Sequence, residues 1–189
     1  MAKIFVFLAD GFEEIEALAP VDILSRGGQD VYTVSTNGSS WVTGSHGITV
    51  KADMLFEDAP LEQADMLLLP GGMPGSKNLD EHEGVCEALV AQDQRKGRIG
   101  AICAAPMVLG HLGLLKGRRA TCSPGFESHL TGAEYTKELY TIDGHIITGE
   151  GPAASLPYAY RILEMFSDKK TVQELQYKMQ YLHLIGQQP

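Results

Sequence analysis

The sequence predicts an α/β fold, a three-layer sandwich in which helices cover both faces of a mostly parallel sheet and one antiparallel hairpin closes an edge. Two observations carry this. Short apolar runs of the kind found in buried parallel strands, KIFVFL at 3–8, DMLLL at 65–69 and IGAI at 99–102, alternate with segments of helical periodicity. A chain of 189 residues, 44% hydrophobic and 21% charged, also has the size and composition of one compact domain spanning residues 1–189.

The elements follow in order. Lys3 to Leu8 reads as a buried strand that stops at Asp10-Gly11. Phe12 to Arg26 is helical and ends at Gly27-Gly28, and Val31 to Ser35 is a second strand that completes a βαβ unit. Between Trp41 and Val50, Gly44 and Gly47 separate short β-prone runs, which predicts a hairpin. Strand Asp65 to Leu69 runs into Pro70-Gly71-Gly72-Met73-Pro74-Gly75, and Gly84 to Lys96 is the helix after it. Strand Ile99 to Ile102 and helix Ala105 to Leu112 continue the alternation. Beyond Gly117 the sequence predicts a short strand at Ala120, a hairpin from Tyr140 to Thr148 turning at Asp143-Gly144, and closing helices Ala153 to Phe166 and Val172 to Leu184. Neither an internal repeat nor a linker interrupts them.

Charge and cysteine usage exclude several classes. Fifteen Lys and Arg against twenty-four Asp and Glu leave a net charge of −9, which repels phosphate backbones and anionic lipid. The basic clusters Arg95-Lys96-Arg98 and Lys116-Arg118-Arg119 follow helical stretches, where cations complement helix C-termini. Cys86, Cys103 and Cys122 are too far apart for a zinc ribbon or a C-x-x-C pair, and an odd count fits a reducing cytoplasm. The apolar run Ile4 to Ala9 is too short for a signal core or a membrane span. The expectation is a cytoplasmic protein with no nucleic-acid or membrane partner, no metal and no cofactor.

The segment Gly100-Ala101-Ile102-Cys103-Ala104-Ala105-Pro106 takes an apolar strand through a cysteine into a helix whose first turn accepts proline. That is the layout of a nucleophile elbow, a strained turn tolerated only between small neighbours, here Ala101 and Ala105. A helix N-terminus would lower the Cys103 pKa; the competing reading is an inert buried thiol. Gly71 and Gly72 follow another buried strand, where unhindered amides can meet an anion, or can simply make a turn. Both segments sit at strand carboxyl ends, where open α/β sheets place ligands. At a third such end, Asp10-Gly11-Phe12-Glu13-Glu14-Ile15-Glu16, first-turn acids Glu13 and Glu14 read as dipole partners. Glu16, one turn further in, could face the sheet edge, where burial would raise its pKa and let it donate a hydrogen bond to Cys103. Periodicity does not decide which glutamate points inward.

No G-x-S-x-G or H-E-x-x-H occurs. His82, among Asp80, Glu81 and Glu83, reads as a solvated side chain, and His46, in the first hairpin, as a surface or interface residue. Cys86 reads as packing, and Tyr177, Met179 and Tyr181 as core or dimer contacts.

Taken in order and spacing, DGFEEIE, LLLPGGMPG, AICAAP and TGEGP resemble the ThiJ/PfpI superfamily, in the branch that contains the parkinsonism-associated protein deglycase and bacterial ThiJ. The resemblance covers nearly the whole chain. It implies a flavodoxin-like sandwich, Cys103 as the elbow nucleophile, Glu16 as its protonated hydrogen-bond partner, an anion pocket from the amides of Gly72 and Ala104, and a homodimer. Three positions depart from relatives. Ala104 stands where the protease branch has histidine directly after the nucleophile, which argues against peptidase activity. Ser123 stands where some glyoxalase-active members have histidine, and Glu150 where many have arginine or glutamine; if Glu150 faces the site it repels anionic substrates.

Two functional readings follow. One is a cysteine-dependent stress-response protein, deglycase- or glyoxalase-like, that takes a reactive small-molecule carbonyl or a glycated protein through a thiohemiacetal at Cys103. The other is a non-catalytic redox sensor or chaperone in which Cys103 is oxidised reversibly.

Overall fold

The computed structural model describes residues 1–187. Its strands are β1 (Lys3–Leu8), β2 (Asp30–Ser35), β3 (Trp41–Thr43), β4 (Thr49–Lys51), β5 (Met54–Leu55), β6 (Met66–Leu69), β7 (Arg98–Ile102), β8 (Arg119–Ala120), β9 (Glu134–Tyr135), β10 (Tyr140–Asp143) and β11 (Ile146–Gly149). The helices are α1 (Glu14–Arg26), α2 (Gly75–Asp80), α3 (Glu83–Gln94), α4 (Pro106–His111), α5 (Ser155–Leu163), α6 (Lys169–Lys178) and α7 (Tyr181–Leu184).

Seven strands form the central sheet in the order β10-β11-β7-β6-β1-β2-β5, parallel throughout except for the β10–β11 hairpin at one edge. Side-chain alternation along the buried strands builds a core on each face. Ile4, Val6, Leu8, Met66, Leu68 and Ile147 pack with α1 and α5 on one side, while Phe5, Phe7, Leu67, Leu69, Ile99 and Ala101 pack with α3 and α4 on the other. From β1 the chain passes through α1 to β2 on one side and later returns to β6 on the other. The loops leaving β1 and β6 therefore diverge at a switch point, where such sheets open their crevice.

The α/β sandwich, its parallel sheet and its edge hairpin are as the sequence predicts, with local corrections. Helix α1 begins at Glu14 rather than Phe12, because Glu13 stays extended and its carboxylate caps the helix by accepting from the Glu16 amide at 2.7 Å. The hairpin expected at 41–50 forms, but β3 and β4 pair as a separate two-stranded sheet. Helix α2 lies in a stretch where only the 70–75 turn was expected, and the short β8–β9 pair gives the predicted strand at Ala120 its partner.

The helix expected at 172–184 is broken in two. Gln180 adopts φ 56°, a left-handed residue between α6 and α7, and the turn brings the Tyr181 ring to 4.5 Å from that of Tyr160. Tyr181 is thereby core, while Tyr177 stays exposed. The helix expected from Ala153 starts with a 3-10 turn, 152–154, before α5. Among the described residues, no helix is long and apolar enough to cross a membrane.

Candidate active site

Loops from β1, β6, β7 and β11 meet at the carboxyl edge of the sheet. Cys103 leaves β7 with φ 65°, a left-handed conformation that costs a residue with a Cβ about 1–2 kcal/mol. Its neighbours hold it there. The Cys103 amide donates to the Gly149 carbonyl at 2.9 Å, the Cys103 carbonyl accepts from the Ser123 amide at 2.8 Å, and Ala101 and Ala105 are fully buried on either side.

Glu16 is the glutamate that turns inward. It is 2% exposed, and its Oε2 accepts from the Gly71 amide at 2.8 Å, while Oε1 is buried with no hydrogen-bond partner besides the Cys103 thiol. Burial, aided by the nearby Glu13 charge, pushes the Glu16 carboxyl up to about 7, against hydrogen bonds from Cys103 and the Gly71 amide. Burial likewise pushes the Cys103 thiol up to about 12, and the Glu16 charge beside it adds to this. The Ser123 hydroxyl and the Gly72 amide pull in the other direction.

The expected lowering of the Cys103 pKa by a helix N-terminus is thus reversed. Helix α4 is only 6 residues long and starts beyond Ala105, so desolvation and a carboxylate at the sulfur outweigh its dipole. The charge that raises Cys103 vanishes once Glu16 takes a proton. Glu16 and Cys103 therefore behave as one pair that shares a proton.

Glycine is required at 71 and 72 by close approach. A methyl on Gly71 would stand 2.6 Å from both the Cys103 Cβ and Glu16 Oε2. Gly72 has φ 85°, and a methyl there would lie 2.5 Å from the Glu13 nitrogen and 2.7 Å from the Gly11 oxygen. The same seam is tied by hydrogen bonds, with the Glu13 amide donating to the Gly71 carbonyl at 2.9 Å and the Gly75 amide to the Gly11 carbonyl at 3.2 Å. The Gly11 amide continues it to the Thr43 carbonyl at 2.8 Å. Ala104 is buried beside Cys103, and its amide has no hydrogen-bond partner among the described residues.

The structure brings together Cys103, Glu16, Gly71, Gly72, Ala104 and Ser123. Glu150 is half-buried and shares a depression with Ser123 and Pro124; its charge acts on the buried Cys122. His46 stands apart on the exposed hairpin, its Nδ1 2.8 Å from Glu14 Oε2. Glu14 is more than the dipole partner it was expected to be. Its buried carboxylate also accepts from the His46 amide at 2.8 Å, and these bonds hold its pKa down even though burial works against them, so it fastens the hairpin to α1. His82 is not simply solvated: its Nδ1 accepts from the Val85 amide at 3.1 Å, capping α3, and its ring lies against Phe56. Cys86 packs as expected, its thiol donating to the Asp80 carbonyl at 3.2 Å. Sequence reasoning missed the Gly149 carbonyl that anchors the elbow, since a backbone acceptor leaves no residue-type signal.

A left-handed cysteine between a parallel strand and a helix, with a buried carboxyl against its sulfur, defines a class of flavodoxin-like α/β proteins built around a nucleophile elbow. Within that class the chain belongs to the DJ-1/PfpI family, whose profile matches residues 2–165. Parkinson disease protein 7 homolog of Danio rerio is 36% identical over 166 residues, 86% of this chain and 88% of its own. Deglycase TK1284 of Thermococcus kodakarensis is 30% identical over 153 residues, 79% of this chain and 90% of its own. The chain spans less than half of two Arabidopsis thaliana relatives, 38% of Protein DJ-1 homolog B and 45% of Protein DJ-1 homolog A, at 36% and 35% identity. Among solved structures, oxidized DJ-1 of Toxoplasma gondii superimposes with a TM-score of 0.90 at 29% identity, covering 95% of this chain and 98% of its own.

Proposed function

We propose that the chain is a cysteine-dependent stress-response protein that takes reactive carbonyls, free or on glycated groups, at Cys103. The observation that carries this is the left-handed Cys103 with the Glu16 carboxyl against its sulfur. In the first step the thiol proton passes to the Glu16 carboxylate and the sulfur adds to the carbonyl carbon. The carbonyl oxygen, facing the amides of Gly72 and Ala104, then takes the proton back from Glu16. The product is a thiohemiacetal, and no atom is lost from the pair. Deglycase TK1284, a relative by sequence, supports the substrate class through its name.

A second reading, a redox sensor, is favoured by the donors that converge on the sulfur: the Gly72 amide, the Ser123 hydroxyl and a protonated Glu16 would hold a sulfinate. One paired experiment separates the two. We expect methylglyoxal to be consumed by the wild-type chain and not by Cys103→Ser; a Cys103→Ser rate equal to wild type overturns the proposal. If peroxide adds two oxygens at Cys103 while methylglyoxal is untouched, the sensor reading replaces it.

We further propose a homodimer in a cytoplasmic setting. Trp41 and Tyr177, 58% and 59% exposed, remain candidates for the contact, joined by exposed Ile15 and Ile48, whereas Tyr181 is withdrawn into the core. Sedimentation at low micromolar concentration is expected to give twice the chain mass of 20.5 kDa, and a single species at the mass of one chain overturns it.

A further inference from the structure

Away from Cys103, three chain segments end against one another. Asp80 closes α2, His111 closes α4, and His129 closes a 3-10 turn at Glu127–His129. Asp80 Oδ2 lies 2.8 Å from His111 Nδ1, and His111 Nε2 lies 3.0 Å from His129 Nδ1. The packing that brings these ends together depends on Gly110, because a Cβ at that position would collide with the His129 carbonyl oxygen. The Phe126 ring, 5.9 Å away, backs the His129 ring.

A carboxylate at Nδ1 accepts the hydrogen there, so in the neutral ring the His111 Nε2 carries a lone pair directed at His129. This is the outer-carboxylate arrangement that orients histidine toward metals. Two nitrogens bound at about 2.0 Å to one ion are about 2.8 Å apart at a right angle and about 3.3 Å apart at a tetrahedral angle. The observed 3.0 Å falls between. An ion sits to one side of the line joining the nitrogens, so both rings must tilt, and the 38% exposure of the His111 side chain leaves it room to do so.

We propose that His111 and His129 bind one divalent transition-metal ion of the kind that favours imidazole, with Asp80 holding His111 in the ligating tautomer and water completing the coordination. The ion replaces the single proton that the two nitrogens otherwise share. It would join α4, which starts three residues past Cys103, to the segment that carries Ser123. The other His and acid cluster, Glu13, Glu14 and His46, is the weaker candidate. Glu13 already caps α1, and Glu14 is occupied by the His46 and Ile48 amides.

The test is calorimetric titration of the full chain with NiCl2, in a Cys103→Ser background so that the reactive thiol takes no metal. One Ni2+ per chain is expected, lost in His129→Ala and His111→Gln, weakened about tenfold or more in Asp80→Asn, and unchanged in His46→Ala. Binding that survives His129→Ala, that is lost only with His46, or that is absent at millimolar Ni2+ overturns the proposal. Paramagnetic broadening of the histidine ring resonances needs none of the histidine or aspartate substitutions. It is expected at His111 and His129, and broadening centred on His46 overturns the assignment.

Discussion

Glu16→Gln is expected to stabilise the folded chain by about 3 kcal/mol above pH 7 and, in the same protein, to abolish a pH step near 7 in the alkylation of Cys103. Both effects come from one carboxyl. Its folded pKa of about 7 stands above the ordinary value of 4.5. Between those values the unfolded chain holds fewer protons than the folded one, so stability falls as pH rises. The cost is absent below pH 4.5 and complete above pH 7, where it reaches about 3 kcal/mol. Glutamine cannot ionise, yet its amide oxygen can still accept from the Gly71 amide. Urea unfolding of both proteins should give similar midpoints at pH 4.5 and a higher midpoint for the variant at pH 8; a gap that does not change with pH would refute the shift.

The alkylation profile follows from the shared proton. In the wild type the first proton leaves the Glu16–Cys103 pair near pH 7 and the second near 12, so the thiolate fraction rises through 7 and then levels. In Glu16→Gln the thiol titrates alone. Its iodoacetamide rate should keep climbing beyond pH 8 with no plateau.

Gly71→Ala should cost about 1–3 kcal/mol of stability and slow Cys103 alkylation about tenfold or more. The added methyl would lie 2.6 Å from the Cys103 Cβ, 2.6 Å from Glu16 Oε2 and 2.8 Å from the Ile102 oxygen, so it must part the pair or move the β7 backbone. Gly151→Ala is the control. Its backbone is extended and nothing lies within 4 Å of the new methyl, so stability should change by less than about 0.5 kcal/mol. A Gly71→Ala protein with wild-type alkylation would show that the spacing of Glu16 and Cys103 does not govern reactivity.

Much of this was written in the sequence because the responsible signals are local. KIFVFL and DMLLL read as buried parallel strands since every residue after the first of each is apolar, and Cys103 reads as an elbow since only alanines flank it at two residues' distance. What stayed hidden depends on contacts between distant segments. Glu13, Glu14 and Glu16 have the same chemistry within one helical turn, and only the approach of Gly71 to one and of the 44–48 loop to another sorts them into cap, clamp and thiol partner. The thiol pKa was read in the wrong direction for the same reason. The sequence displays the helix that follows Cys103 but not how dry its surroundings are. The break at Gln180 has no glycine or proline to announce it and is set by the seat of Tyr181 against Tyr160.

The seam of hydrogen bonds at the sheet edge bears on how anything reaches the sulfur. Gly11 is bonded to the first hairpin, Gly75 to Gly11, Glu13 to Gly71, Cys103 to Gly149 and Ser123 to Cys103, so each segment around the elbow is clasped by another. Swinging any one outward breaks bonds belonging to its neighbour. Among the described residues, no segment of this rim is left free to swing as a lid. Opening the elbow therefore takes the loss of several hydrogen bonds together rather than the movement of one loop.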